Sequence, residues 1–261
     1  MSRNRLLWLF VLGGVLFLAG CARKEDDSAT PAAEKPTPVA TAPSATAPPV
    51  AQAGKVEGVV TFEGTDPDAL IVMTGDPACA RLHPTPAMSE AVAAENGKLA
   101  NVFVYVKTGL EGQTFPVPTE VRSIMQRRCL YAPRVVGVQV GQPLHISNSD
   151  ETLHNVHLLA TTNPEINEPQ PKVGLVLEKT FEQPEVMMHL KCDVHPWMNA
   201  WVGVLPHPYY TVTGAGGAFE IGNLAPGTYT VAAWHESLGT QEQQVTVPAD
   251  GKVALTFDFK G

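Results

Sequence analysis

The stretch Cys192-Asp193-Val194-His195-Pro196-Trp197-Met198 puts a thiolate, an imidazole and a thioether within seven residues, and His154 adds a second imidazole upstream. Together these donors suit a copper ion that carries one electron and does nothing else. Trigonal ligation by two His and one Cys, with a long and weak axial Met, serves both oxidation states, so little rearranges as an electron arrives or leaves. Soft sulfur favours Cu(I), imidazole serves Cu(II), and no ligand position stays open for a substrate. A Cys-x2-His pair alone could equally serve zinc.

The elements that must position these donors read as strands. The segment Val186 to Cys192 alternates in character, which predicts Val186, Met188, Leu190 and Cys192 on the inward face and Met187, His189 and Lys191 outward. The chain then turns from Asp193 to Pro196 and returns His195 and Met198 toward the sulfur. The other imidazole follows the alternating Leu144-His145-Ile146 and the run from Asn148 to His157. If the chain is extended from His154 onward, His154 and His157 point to opposite faces, so only one of them can ligate.

These residues resemble the cupredoxins, the plastocyanin and amicyanin group of small blue copper proteins. The likeness runs from about Tyr131 to Val204 and rests on Asn148, His154-Asn155-Val156 and the Cys192/His195/Met198 loop, whose short His-Pro-aromatic-Met form is closest to amicyanin. It implies His154, Cys192 and His195 as strong ligands of one type 1 copper and Met198 as the axial one. Asn155 then ties the two ligand loops together behind the ligands. It further implies His195 as an exposed electron exit within an apolar docking patch of Pro196 and Trp197. Leu153 stands where the family usually has Pro, which alters the approach to His154 more than the ligation.

Related chemistries lack their residues. A binuclear copper centre needs a second Cys in the loop, and the catalytic copper enzymes place a His beside the Cys, where this chain has Lys191 and Asp193. No C-x-x-C-H, H-E-x-x-H, G-x-S-x-G or phosphate-loop motif occurs. The sequence therefore predicts an electron carrier rather than an enzyme.

The N-terminus predicts an address. Arg3 and Arg5 precede a 13-residue apolar run, Leu6 to Leu18, too short to span a membrane and suited to a signal peptide. Leu18-Ala19-Gly20-Cys21 resembles the bacterial lipobox, which implies a signal peptide over 1–20 and lipidation of Cys21. The expected location is the bacterial cell envelope, periplasmic or otherwise extracytoplasmic, and the outer membrane in a Gram-negative cell, because Ala22 rather than Asp follows the Cys. Residues 22–54 hold six Pro and ten Ala and no aromatic residue, so 21–54 reads as a lipid anchor and disordered tether. Extended, it would reach roughly 100 Å at about 3.1 Å per residue.

With Cys21 and Cys192 assigned, Cys79 and Cys129 remain as a plausible disulfide for an oxidising compartment, worth about 2–4 kcal/mol. The rival reading makes Cys79, His83 and Cys129 a second metal site. The 18 basic residues lose Arg3 and Arg5 with the signal peptide, leaving 16 against 26 acidic. That balance argues against nucleic acid and suits brief encounters with a redox protein such as a c-type cytochrome or an oxidase.

The rest of the chain predicts an all-β protein: a cupredoxin-like Greek-key sandwich over 55–206, followed by a smaller unit over 207–261. Asn96-Gly97 marks a type I′ hairpin. The stretch Gly217 to Tyr229 resembles the carboxypeptidase regulatory-like, or transthyretin-like, β-sandwich, which informs fold and not activity. Gly54 to Phe62 also looks like the first strand of such a domain, so the copper unit could be inserted within it. His145 and His189 are expected to be solvated, and His235 could overlie the copper site. Two other functions fit the same donors: a copper-handling lipoprotein that stores or delivers Cu(I), and a metal-free adhesive one.

Overall fold

The computed structural model describes residues 52–65 and 70–261. The expected signal peptide, Cys21 and nearly all of the tether lie outside the described residues. Among the described residues, no helix is long and apolar enough to cross a membrane.

Alternating apolar residues pair into sheets with two separate cores. In the sandwich that carries the donors, one sheet orders the strands Val176–Lys179, Leu144–Asn148, Arg122–Arg127 and Leu130–Ala132. The other orders Ile166–Gln170, His154–Leu159, Glu185–Lys191, Asn199–Leu205 and Val135–Gln139. The two inner faces bury Ile124, Val138, Leu144, Ile146, Val156, Leu158, Leu190 and Val202 in one cluster with Cys192 and Met198. Full burial of such a side chain is worth about 1.5–3 kcal/mol, so this core is what holds the ligand-bearing strand ends in place.

The second sandwich is built around the first described strand, Gly54–Glu63. It pairs antiparallel with Ala218–Leu224 and parallel with Lys252–Lys260 along its whole length. Opposite it lie Tyr210–Val212, Phe103–Thr108, Gly227–His235 and Gly239–Val247. The division expected at 206/207 is therefore corrected. Val56 and Val60 bury with Phe219, Phe257 and Phe259 rather than with the donor-bearing core, because the C-terminal strands need Gly54–Glu63 as the middle of their sheet. The donor sandwich is an insertion: the chain leaves the outer sandwich after Thr108 and re-enters it at Tyr210. The hairpin at Asn96-Gly97 forms, with both residues at positive φ (52° and 69°).

The two sandwiches meet through Phe103, Tyr105, Val135, Met187, Leu205 and Tyr210. Two glycines allow that approach. A Cβ on Gly137 would stand 2.3 Å from the Tyr210 ring, and one on Gly203 2.9 Å from Met187 Sδ. Met187 reaches this seam because the strand bulges between Glu185 and Met188, with Met187 at φ 65°. The predicted alternation thus holds from Met188 to Cys192 and fails at its start: Val186 is exposed and Met187 buried. A bulge adds one residue and shifts the facing of everything on one side of it.

Candidate metal centre

The donors sit at one end of the inserted sandwich. His154 begins its strand, and Cys192 immediately follows the strand Glu185–Lys191. A tight turn then returns the chain: Met198 N–H donates to the His195 carbonyl (2.9 Å) and Cys192 N–H to the Met198 carbonyl (3.2 Å). His154, Cys192, His195 and Met198 are all at most 2 % exposed.

His154, Cys192 and His195 each aim a ligand atom at one point, all within 4.8 Å of one another. His154 Nδ1 lies 2.9 Å from His195 Nδ1, and Cys192 Sγ lies 3.7 Å from His195 Nδ1. The outer nitrogens are committed elsewhere. His154 Nε2 lies 3.0 Å from Asp150 Oδ2, and His195 Nε2 lies 3.1 Å from Asp76 Oδ2. A carboxylate only accepts, so each Nε2 carries its hydrogen and each Nδ1 of a neutral ring presents a lone pair. Two imidazole lone pairs and a thiolate then face one buried point, an arrangement that repels itself unless a cation occupies it. This donor set fits copper.

The electrostatics point the same way. Burial alone would push the Cys192 thiol up, but the adjoining His154 and His195 imidazoles outweigh it and bring the thiol down to about 6. Burial works against charge on both rings, yet their acidic and sulfur partners raise the pKa of each. Asp150 also accepts the N–H groups of Arg128 and Cys129 (2.7 Å each), which with His154 hold its carboxyl below the usual range against burial.

Asn155 ties the loops. Its Oδ1 accepts Asp193 N–H at 2.6 Å, and its Nδ2 donates to Asn167 and Asp193. Asn148 similarly spans its own loop, donating to the carbonyls of Thr152 and Gln170 and accepting Asp150 N–H. His157 stands outside the site between Asp193 and Glu165.

The expectation of an exposed His195 is corrected, because the ring is 1 % exposed. A short helix, α1 (Pro77–Leu82), covers it, N-capped by Asp76. Cys79 of α1 is joined to Cys129 by a disulfide whose Cα atoms are 5.7 Å apart, so in this bridged state the two sulfurs are not free to join His83 in the alternative metal site. His83 Nε2 instead meets the Arg128 carbonyl. Pro196 is exposed and Trp197 half-buried, with the Trp197 ring centroid 5.1 Å from that of His195 and its indole N–H on the Cys129 carbonyl. Both border a cavity of about 550 Å³ shared with Ile71, His189 and Trp201. His189 is not solvated as expected but stacks on Trp201 and meets Asn199. His235 packs near Phe259 in the outer sandwich, where burial lowers it to about 4.

Sequence reasoning missed Asp76 and Asp150. The one signal for Asp76 was its place before Pro77, an N-cap pattern.

Residues 195–260 match the carboxypeptidase regulatory-like domain family. That match covers the chain only from His195 to the last strand and leaves Gly54–Glu63 outside it. No curated protein sequence matches the chain. Among solved structures it is similar to a Cu(I) amicyanin variant, at 22% identity and TM-score 0.30 over 32% of this chain and 81% of the other. It is also similar to a purple cupredoxin from Nitrosopumilus maritimus, at 23% and 0.28 over 32% and 98%. A third similar structure is a copper-containing nitrite reductase from Thermus scotoductus, at 17% and 0.30 over 55% and 28%.

Proposed function

We propose that the chain is a carrier of single electrons, in which His154, Cys192, His195 and Met198 would hold one copper. The observation that carries this reading is the 2.9 Å approach of two Nδ1 atoms whose rings are each fixed at Nε2 by a carboxylate. A copper there would supply the one-electron couple. The chain's own residues keep it from doing more: the four donors are buried, which excludes a substrate and water. Asp150 and Asp76 fix the ring orientations before any ion arrives, so little reorganisation accompanies a change of charge.

With His195 covered by α1, the way out of the site runs instead through Trp197, which touches His195 and borders the cavity beside Pro196. A redox protein, such as a c-type cytochrome or an oxidase, would dock at that rim. The lipobox-like Cys21 and the Pro/Ala-rich tether support a place in the bacterial envelope on a lipid anchor. Adding Cu(II) to the purified chain and recording visible and EPR spectra tests the reading. A strong blue thiolate band with small hyperfine splitting is the expected result, and a colourless protein that takes only Cu(I) would favour copper handling instead.

A further inference from the structure

The side of His195 turned away from Cys192 is occupied by sulfur. Cys79 Sγ lies 3.6 Å from His195 Nε2. The ligating atoms of Asp76, Cys79 and His195 lie within 4.8 Å of one another, and so do those of Cys129, Asp150 and His154. The disulfide therefore backs both imidazoles. It also covers the site: the four donors are at most 2 % exposed beneath α1. Apart from the disulfide, α1 is held by Leu82 packed against the core and by polar contacts from Asp76 to His195 and Thr152, from His83 to the Arg128 carbonyl, and from the Arg128 guanidinium to the Leu82 carbonyl.

We propose that Cys79 and Cys129, when reduced, form a second metal site, a Cu(I) acceptor backed by His195 and lying beside the buried donors. Only the count at the buried donors rests on the proposed function; binding at the thiol pair does not. A dithiol reductant opens the bridge by exchange, its own two sulfurs joining as a new disulfide while Cys79 and Cys129 take up two electrons and two protons as thiols. Each thiol gives its proton to solvent as it ligates, and two thiolates select Cu(I) over harder cations. His195 walls both sites, with Nδ1 toward Cys192 and Nε2 toward Cys79. Exchange with a disulfide-bearing oxidant reforms the bridge, the oxidant's own disulfide being reduced to thiols, and releases the Cu(I) held by the pair.

Cu(I) stoichiometry measured against a strong chromophoric chelator, bathocuproine disulfonate, tests this on bridged and dithiothreitol-reduced chain. The bridged chain should hold one Cu(I) and the reduced chain two. Cys192→Ala should hold none when bridged and one when reduced, and the Cys79→Ser/Cys129→Ser chain should hold one in either condition. In reduced Cys192→Ala, adding His195→Ala should weaken binding by about ten-fold or more. Equal stoichiometry in bridged and reduced chain, with two new thiols titrated, overturns the proposal. Loss of the near-UV circular dichroism on reduction also overturns it, because the site needs His195 in place. A reduced chain with one ion and a bridged chain with none supports the thiol site while refuting copper at the buried donors.

Discussion

Asp76 Oδ2 stands 3.1 Å from His195 Nε2 while Asp76 Oδ1 caps α1 through the N–H groups of Ala78 and Cys79. One carboxylate thus orients a ligand ring and anchors the helix that covers it. Burial raises its pKa, but the bonds from His195, Cys79, Ala78 and Thr152 win and hold it at about 2. Asp76→Ala should weaken metal binding by about 10- to 100-fold, the usual range for a group that fixes a ligand histidine. Chelator competition measures this, and Asp76→Asn, which keeps the shape of the cap, should lose less.

The seam between the sandwiches is closed at Gly137, whose missing Cβ leaves room for the Tyr210 ring at 2.3 Å. Gly137→Ala should cost about 1–3 kcal/mol, as overpacking does. Urea unfolding reads it, and the position lies outside the donor cluster, so any spectrum of the loaded site should be unchanged.

Glu185 gathers the Thr161–Asn163 turn, accepting three backbone N–H groups and the Asn163 amide. Burial raises its pKa, yet these bonds lower it from 4.5 to about 2. Because the folded value is depressed, its stabilisation is complete above pH 4.5 and is lost as pH falls toward 2. Allowing for solvent screening, this is worth about 1 kcal/mol. Glu185→Gln should lower the melting temperature by about 2–4 °C at pH 7, and the difference from the parent chain should vanish near pH 2.

Much of this was legible in the sequence because it is local. Cys192, His195 and Met198 lie in one turn, and strand alternation from Met188 onward fixed their facing. What was not legible depends on chain segments far apart. Asp76 and Cys79 reach His195 across more than a hundred residues, and no periodicity connects them, so nothing in the sequence countered the exposed His195 that the resemblance implied. The outer sandwich was blurred for the same reason. Gly54 to Phe62 looked like its first strand, but only the register of Gly54–Glu63 with Lys252–Lys260 shows that the donor sandwich is inserted. Val186 failed on a single-residue bulge that carries no pattern of its own.

Met198 and Cys192 would play different parts in the proposed copper site. Met198→Gln should keep a thiolate-copper colour and lower the potential, since an oxygen donor favours Cu(II) over a thioether. Voltammetry of the two chains gives the sign.

The most direct measurement of the central claim is the visible spectrum of the full chain and of Cys192→Ala after one equivalent of Cu(II). The parent chain should turn blue and the variant should stay colourless. A colour of equal strength in Cys192→Ala, or none in the parent chain with Cys192 free and reduced, would contradict the account.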